Sequence, residues 1–132
     1  MSDRDRILAA IDQAYADRKA GDTEALAGFW APGATFRISG EPSLLPPVCT
    51  GTEAAGEAVA QLIHLIRFHD YRRLDALVEG NKAALRWEID CSIGDGPVYT
   101  TEMAEFWEFD EDLRATSLLQ FVDTAQLVQM MA

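Results

Sequence analysis

The sequence predicts an α+β fold, with helices packed on one face of a curved antiparallel sheet. Two observations carry this. Helical spacing of apolar residues is confined to the first half of the chain, and long strands with tight turns fill the second, an order that segregates helices from sheet. Within the second half, residues 98–124 (VYTTEMAEFWEFDEDLRATSLLQFVDT) read as two long strands around the acidic turn Asp110–Glu111–Asp112. The adjacent pairs Phe106–Trp107, Leu118–Leu119 and Phe121–Val122 put apolar groups on both faces of this hairpin, because side chains alternate along a strand. One face is expected to cover the interior and the other a partner subunit.

Taken in order, residues 3–20 are the first helix. Ile7, Leu8, Ile11, Ala14, Tyr15 and Arg18 form one stripe with a polar end, Ser2 or Asp3 can cap the start, and Gly21 stands at the stop. Asp22 caps a short helix, Thr23 to Trp30, which Pro32–Gly33 ends. Ala34 to Ser39 alternates and reads as a strand. Gly40 to Cys49 holds three of the five prolines and reads as a loop, whose Leu44, Leu45 and Val48 either close over a cavity or pack on the domain. Thr50 and Glu53 have capping-box spacing, so the third helix is expected from there to about Phe68, with Ala55, Val59, Leu62, Ile63 and Ile66 inward. Strands follow at roughly Tyr71–Val78, Ala83–Ile93, Val98–Phe109 and Leu113–Asp123. Gly80–Asn81 and Gly94–Asp95–Gly96–Pro97 form the first two turns. Residues 125–132 are a short helix or a frayed tail.

At 132 residues the chain is expected to be one domain, residues 1–132, with a real core. Asp and Glu outnumber Lys and Arg by 22 to 11, a formal charge of −11, which argues against nucleic-acid and anionic-membrane partners. The longest apolar run, Leu62 to Phe68, is interrupted by His64 and Arg67 and is too short to cross a bilayer. The start, MSDRDR, lacks signal-peptide features, so a cytoplasmic location is expected. Cys49 and Cys91 make no disulfide framework and should behave as small reduced apolar residues. His64 and His69 are five apart, a poor spacing for one helical face, and no metal or other cofactor is expected.

Several stretches resemble the SnoaL-like and ketosteroid-isomerase-like branch of the nuclear transport factor 2-like superfamily. Tyr15–Ala16–Asp17–Arg18–Lys19–Ala20–Gly21–Asp22 is similar to its first helix ending in Gly-Asp. Phe29–Trp30–Ala31–Pro32–Gly33–Ala34–Thr35–Phe36 is similar to its entry into the first strand, and Gly51–Thr52–Glu53 to the start of its third helix. Leu85–Arg86–Trp87–Glu88–Ile89 and Glu105–Phe106–Trp107–Glu108–Phe109 match its long strands. The resemblance implies a cystatin-like cone, the sheet wrapped around three helices with an internal apolar pocket. It implies that Leu85, Trp87, Ile89, Met103, Glu105, Trp107, Thr116, Leu118 and Gln120 face that pocket, with Tyr15, Trp30 and Ile63 entering from the helices. Arg86, Glu88, Ala104, Phe106, Leu119 and Phe121 would then form an outer face, the expected homodimer surface.

Glu105 is the sharpest candidate for chemistry. The resemblance puts it where ketosteroid isomerases hold a protonated Asp against the oxyanion. An acid among Met103, Trp87 and Trp107 is desolvated, which raises its pKa and suits it to acid or base work near neutrality. The alternatives are a buried acid paired to an arginine, or an exposed strand residue. Tyr15, Gln120 and Thr116 would complete a polar cluster in an apolar hollow suited to a small apolar molecule, unless the large aromatics fill the space. Ile38 stands where the isomerases carry their catalytic base, which argues against authentic ketosteroid isomerisation. The resemblance therefore implies a cofactor-free isomerase, cyclase or dehydratase acting on an apolar cyclic or polyketide-like compound. Alternatively it implies a non-catalytic binding or dimerisation module, or, on the scaffold name alone, protein transport.

Overall fold

A computed structural model describes residues 2–131. Helix α1 (Asp3–Ala20) is capped by Ser2, whose Oγ accepts from the Asp5 amide at 3.2 Å, and Gly21 closes it in the left-handed conformation with φ 72°. Asp22 caps α2 (Thr23–Ala27) through the Ala25 amide at 3.0 Å. This helix stops one turn short of the expected Trp30. Trp30 already opens strand β1 (Trp30–Ile38), and Pro32–Gly33 lies inside that strand instead of ending the helix. Proline cannot donate to a ladder, and the β1 register breaks between Trp30 and Thr35, with Gly33 at φ 77°.

The expected capping box does not form. Thr50 follows a single 3-10 turn (Pro47–Cys49) and its hydroxyl donates to the Pro47 carbonyl at 2.7 Å, while Glu53 accepts from Gln61. Helix α3 (Ala55–Leu65) starts behind Ala54 without a side-chain cap and ends three residues before Phe68. Ile66 to His69 instead begin strand β2 (Ile66–Glu79), so His69 lies on a strand, with Nε2 2.8 Å from the Ser92 hydroxyl. Ile66 and Phe68 turn to the cavity while Arg67 and His69 are exposed, an alternation of period two in place of the helical one.

Strands β2, β3 (Lys82–Ile93), β4 (Tyr99–Phe109) and β5 (Ala115–Val122) form the expected antiparallel meander. The one parallel pair is β1 with β5, giving the order β1-β5-β4-β3-β2 in a curved, unclosed sheet. The two-residue turn at Gly80–Asn81 joins Glu79 to Lys82, with Gly80 at φ 59°. Helix α4 (Thr124–Met131) takes its first amide bond from the Asp123 carboxylate, which accepts from the Gln126 amide at 3.0 Å. Among residues 125–131 the chain is thus helix rather than tail; Ala132 lies outside the described residues. The core clusters between the helices and the concave face of the sheet, with Ile11, Phe36, Trp87 and Phe109 almost fully buried. Leu45 and Val48 of the proline-rich loop are buried in it, whereas Leu44 is 62% exposed.

A Cβ built on Gly21 would meet nothing nearer than the Ile63 side chain at 3.9 Å. Gly21→Ala therefore isolates the backbone cost of its positive φ. Urea denaturation should show a loss of about 1 kcal/mol without a change in the slope of the transition.

Candidate functional site

Three donors from the meander and one from α1 converge on one buried carboxylate. Strand alternation points Met103, Glu105 and Trp107 inward on β4, and Trp87 and Ile89 inward on β3. Glu105 is 1% exposed. Its Oε1 accepts from the indole N–H groups of Trp87 (2.6 Å) and Trp107 (2.7 Å). Its Oε2 lies 2.7 Å from the Tyr15 hydroxyl and 3.1 Å from the Gln120 amide nitrogen. Tyr15 comes from α1 and stacks on Trp87 at 3.9 Å between centroids, which locks the phenol over the carboxylate. The arginine pairing considered as an alternative does not occur: every partner of Glu105 is neutral.

Burial raises the Glu105 pKa above the ordinary carboxylate range, and the four donors only partly oppose it. The Tyr15 phenol is pushed well above its usual value, first by burial and then by the neighbouring Glu105 charge. The two oxygens differ in kind. An indole N–H can only donate, so Oε1 must remain an acceptor. A hydroxyl can accept as well as donate, and an amide can turn its oxygen over. A proton on Glu105 therefore sits on Oε2, shared with Tyr15.

Beside this cluster is a cavity of about 120 Å³. Of the expected pocket residues, Tyr15, Trp30, Ile89, Met103, Trp107, Leu118 and Gln120 line it. Glu105 does not; it lies beneath the wall, touching the cavity only through Tyr15, Trp107 and Gln120. Trp87 is covered by the Tyr15 ring, and Leu85, buried and paired with Glu105, shares that deeper level. Ile63 is buried against the turn at Gly21, while Leu62 and Val59 present the α3 face to the cavity. Thr116 is half-buried and away from it, because Ser117 pairs with Glu108 and Ala115 with Phe109, leaving Thr116 as the extra residue of a bulge. The inward place expected of Thr116 goes to Ala115, which is 0% exposed.

Sequence reasoning missed two parts of the lining. Arg18, one helical turn beyond Tyr15, is the cation in the wall. Helix α4 supplies Gln126, Leu127 and Met130, where the 3-residue spacing of Leu127 and Met130 was the available signal. Phe68, Thr101, Val122 and Asp123 keep partial or full exposure at the same end of the sheet, so the mouth opens there, beside α4. Ile38 is buried in the wall.

Burial raises the Cys49 thiol to about 11 and the Cys91 thiol above its usual value, so neither is a thiolate near neutrality. Among the described residues no group of three His, Cys, Asp or Glu side chains is placed to hold a metal ion. Nor is any described helix long and apolar enough to cross a membrane.

Glu105→Leu strands four donors, and the two indoles alone should cost on the order of 2–6 kcal/mol in urea denaturation. Glu105→Gln keeps an acceptor for both indoles and should stay within about 1 kcal/mol of wild type near pH 5. The raised pKa means that the folded state holds this proton more tightly. Wild-type stability should therefore fall as pH rises from the unfolded carboxylate value through the folded one, a slope that Glu105→Gln removes.

Residues 9–118 match the model of the SnoaL-like domain. No curated protein sequence matches the chain. Among solved structures, a provisionally named isomerase from Bacillus subtilis superposes with a TM-score of 0.83 at 13% identity, covering 99% of this chain and 96% of its own. A second provisionally named isomerase, from Rhodopseudomonas palustris, gives 0.78 at 22% identity, covering 95% of each chain. TerC, co-crystallised with polyporic acid, gives 0.76 at 14% identity, covering 95% of this chain and 97% of its own. Likeness at these identities shows the fold. The family model spans most of the chain: the chain belongs to the SnoaL-like domain family, and it has the fold of nuclear transport factor 2-like proteins.

Proposed function

We propose that the chain binds a small apolar cyclic molecule in its cone and acts on it by cofactor-free acid chemistry, as an isomerase, cyclase or dehydratase of polyketide-like compounds. The observation that carries this is the Glu105–Tyr15 pair: a buried acid whose proton-bearing oxygen is 2.7 Å from a hydroxyl in the cavity wall. Tyr15 is the group that touches the ligand. As its hydroxyl proton moves to a ligand carbonyl or departing hydroxyl, the Oε2 proton of Glu105 replaces it, and the C–H proton that the ligand then releases returns to Glu105 through the same hydroxyl. The phenol ends neutral, and until that return the new carboxylate is held by the two indoles and Gln120. A phenolate is never formed, which suits a phenol whose pKa is raised. The cavity, about 120 Å³, compares with the roughly 150 Å³ apolar hollow that accepts one benzene, so one ring fits inside and larger parts extend through the mouth. The co-crystallisation of TerC with polyporic acid supports a small organic ligand for this scaffold.

A second reading, a non-catalytic binding module, is favoured by Ile38 in the wall, where the related isomerases carry a base. Dehydration of 3-hydroxycyclohexanone, followed by enone absorbance, separates the two. For the enzyme, Tyr15→Phe and Glu105→Gln bring turnover to background, and wild-type kcat falls as pH rises through the raised Glu105 pKa, because the acid must carry its proton. Undiminished turnover in both variants removes the pair from the mechanism. No wild-type turnover across a panel of one-ring hydroxyketones that still bind selects the binding module.

We also propose a homodimer through the convex sheet face. Phe106 and Phe121 are 53% and 44% exposed there and meet edge to face at 5.9 Å, with Leu119 paired beside Phe106. Arg86, held by Asp75 and Glu102, gives the patch a charged margin. Light scattering should give about twice the 14.6 kDa chain mass, and Phe106→Glu should halve it. A wild-type monomer overturns the assignment.

A further inference from the structure

The cavity wall holds one positive charge that the fold does not balance. Arg18 reaches from α1 across the end of α3, and its Nη2 donates to the carbonyls of Leu62 (3.2 Å) and Ile66 (2.7 Å). Those bonds satisfy the last turn of the helix, and the helix end supplies roughly half a unit of negative partial charge. The guanidinium lies 4.2 Å over the Phe68 ring, which shields one of its faces. No described carboxylate comes within ion-pair distance, and Nε and Nη1 donate to no described acceptor. Asp123, the carboxylate in the cavity lining, is exposed at the mouth and caps α4 instead. Arg18 is half-buried, and its unused N–H groups and unbalanced charge favour an anion that arrives to use them.

We propose that the ligand of this cavity carries an ionised acidic group, a carboxylate or an acidic enol, which accepts a charge-assisted hydrogen bond from the free Nη1 of Arg18. Both N–H groups of Nη2 are taken by the carbonyls, so the anion meets Nη1 and gains one charge-assisted hydrogen bond to a cation that has no countercharge. Arg18 lies one helical turn from Tyr15, so a ligand anchored at Arg18 holds its ring along Ala14, Ile89 and Met103, with its far side toward Tyr15 and Gln120. The anchor also gives direction: a neutral ring can enter such a greasy cavity in many poses, and an anionic one in few. Burial lowers the Arg18 pKa to about 10, which leaves it charged at neutral pH. The inference rests on ligand binding in the cone, and not on the acid chemistry assigned to Tyr15.

Benzoate and benzamide differ in charge with nearly the same shape, and calorimetric titration of both into the full chain at pH 7 tests the proposal. Wild type should bind benzoate at least tenfold more tightly than benzamide. Arg18→Gln should abolish that preference while still binding benzamide, and Arg18→Lys should retain part of it. Equal affinity for the two probes in wild type overturns the anion anchor and leaves the cavity as a neutral-ligand site. A benzoate preference that survives in Arg18→Gln also overturns it, since the charge would then lie elsewhere. Failure of both probes to bind wild type at millimolar concentration sinks this inference and the small-ring ligand together. Because the first comparison needs no variant, misfolding of Arg18→Gln leaves the test intact, and thermal melts of the Lys variant report whether its packing on Phe68 is kept.

Discussion

The interior is organised around one carboxylate that has no countercharge. Burying an acid is costly unless its lone pairs are used, and Glu105 uses all of them on donors from four elements, α1, β3, β4 and β5. Each donor is itself a large or polar side chain that would otherwise be an unsatisfied group in the core. Tyr15 ties α1 to the sheet, Trp87 ties β3 to β4, and Gln120 ties β5 to β4. The cluster thus fixes how the first helix sits in the cone, and fixes the floor of the cavity with it. The proposed function and the stability share the same four bonds, so a substitution that leaves the shape but changes the proton is the informative one.

The aromatic side chains divide the concave face into two zones. Trp87 and Tyr15 stack and seal the Glu105 level, while Trp30, Trp107 and Phe109 stack at 5.7–5.9 Å toward the far end of the same strands. Beside Trp87 and past it toward the mouth, the smaller or more flexible Met103, Ile89 and Cys91, with Leu118 on β5, leave space open. A cavity survives in a core this rich in rings because rigid planes stack with one another rather than collapsing into the gap. Tyr15 with Gln120 lies near the floor and Arg18 along one wall, while Thr101, Asp123 and Gln126 are polar groups toward the mouth. Under the proposed function, that separation holds a ligand at one point and alters it at another.

How much of this was legible in the chain depends on local regularity. The inward parity of Trp87, Ile89, Met103, Glu105 and Trp107 could be read directly, because β3 and β4 pair without a bulge over their whole length. Thr116 could not, because a single extra residue in β5 reverses the faces before Ser117. The end of α3 was hidden by Ile66 and Phe68, apolar residues that suit a helix stripe and a strand equally. The capping-box spacing at Thr50 was present, but the prolines before it pull the threonine into a 3-10 turn. The depth of Glu105 below the cavity surface was out of reach: alternation gives a side chain's direction, and only packing gives what lies over it. Arg18 looked like the solvated end of a stripe, since long cationic side chains on helices mostly are.

The wall formed by α4 has a consequence for how such a domain changes its diet over evolution. This helix is eight residues long, with Leu127 its one fully buried side chain, and segments of that length have little intrinsic stability. The floor beneath is cross-braced by Glu105 and tolerates little. Selectivity for the girth of a guest can therefore drift through Gln126, Leu127 and Met130 while the proton-bearing apparatus stays untouched. The two properties sit on separately mutable parts of the chain, one rigid and shared by many elements, the other short, peripheral and replaceable.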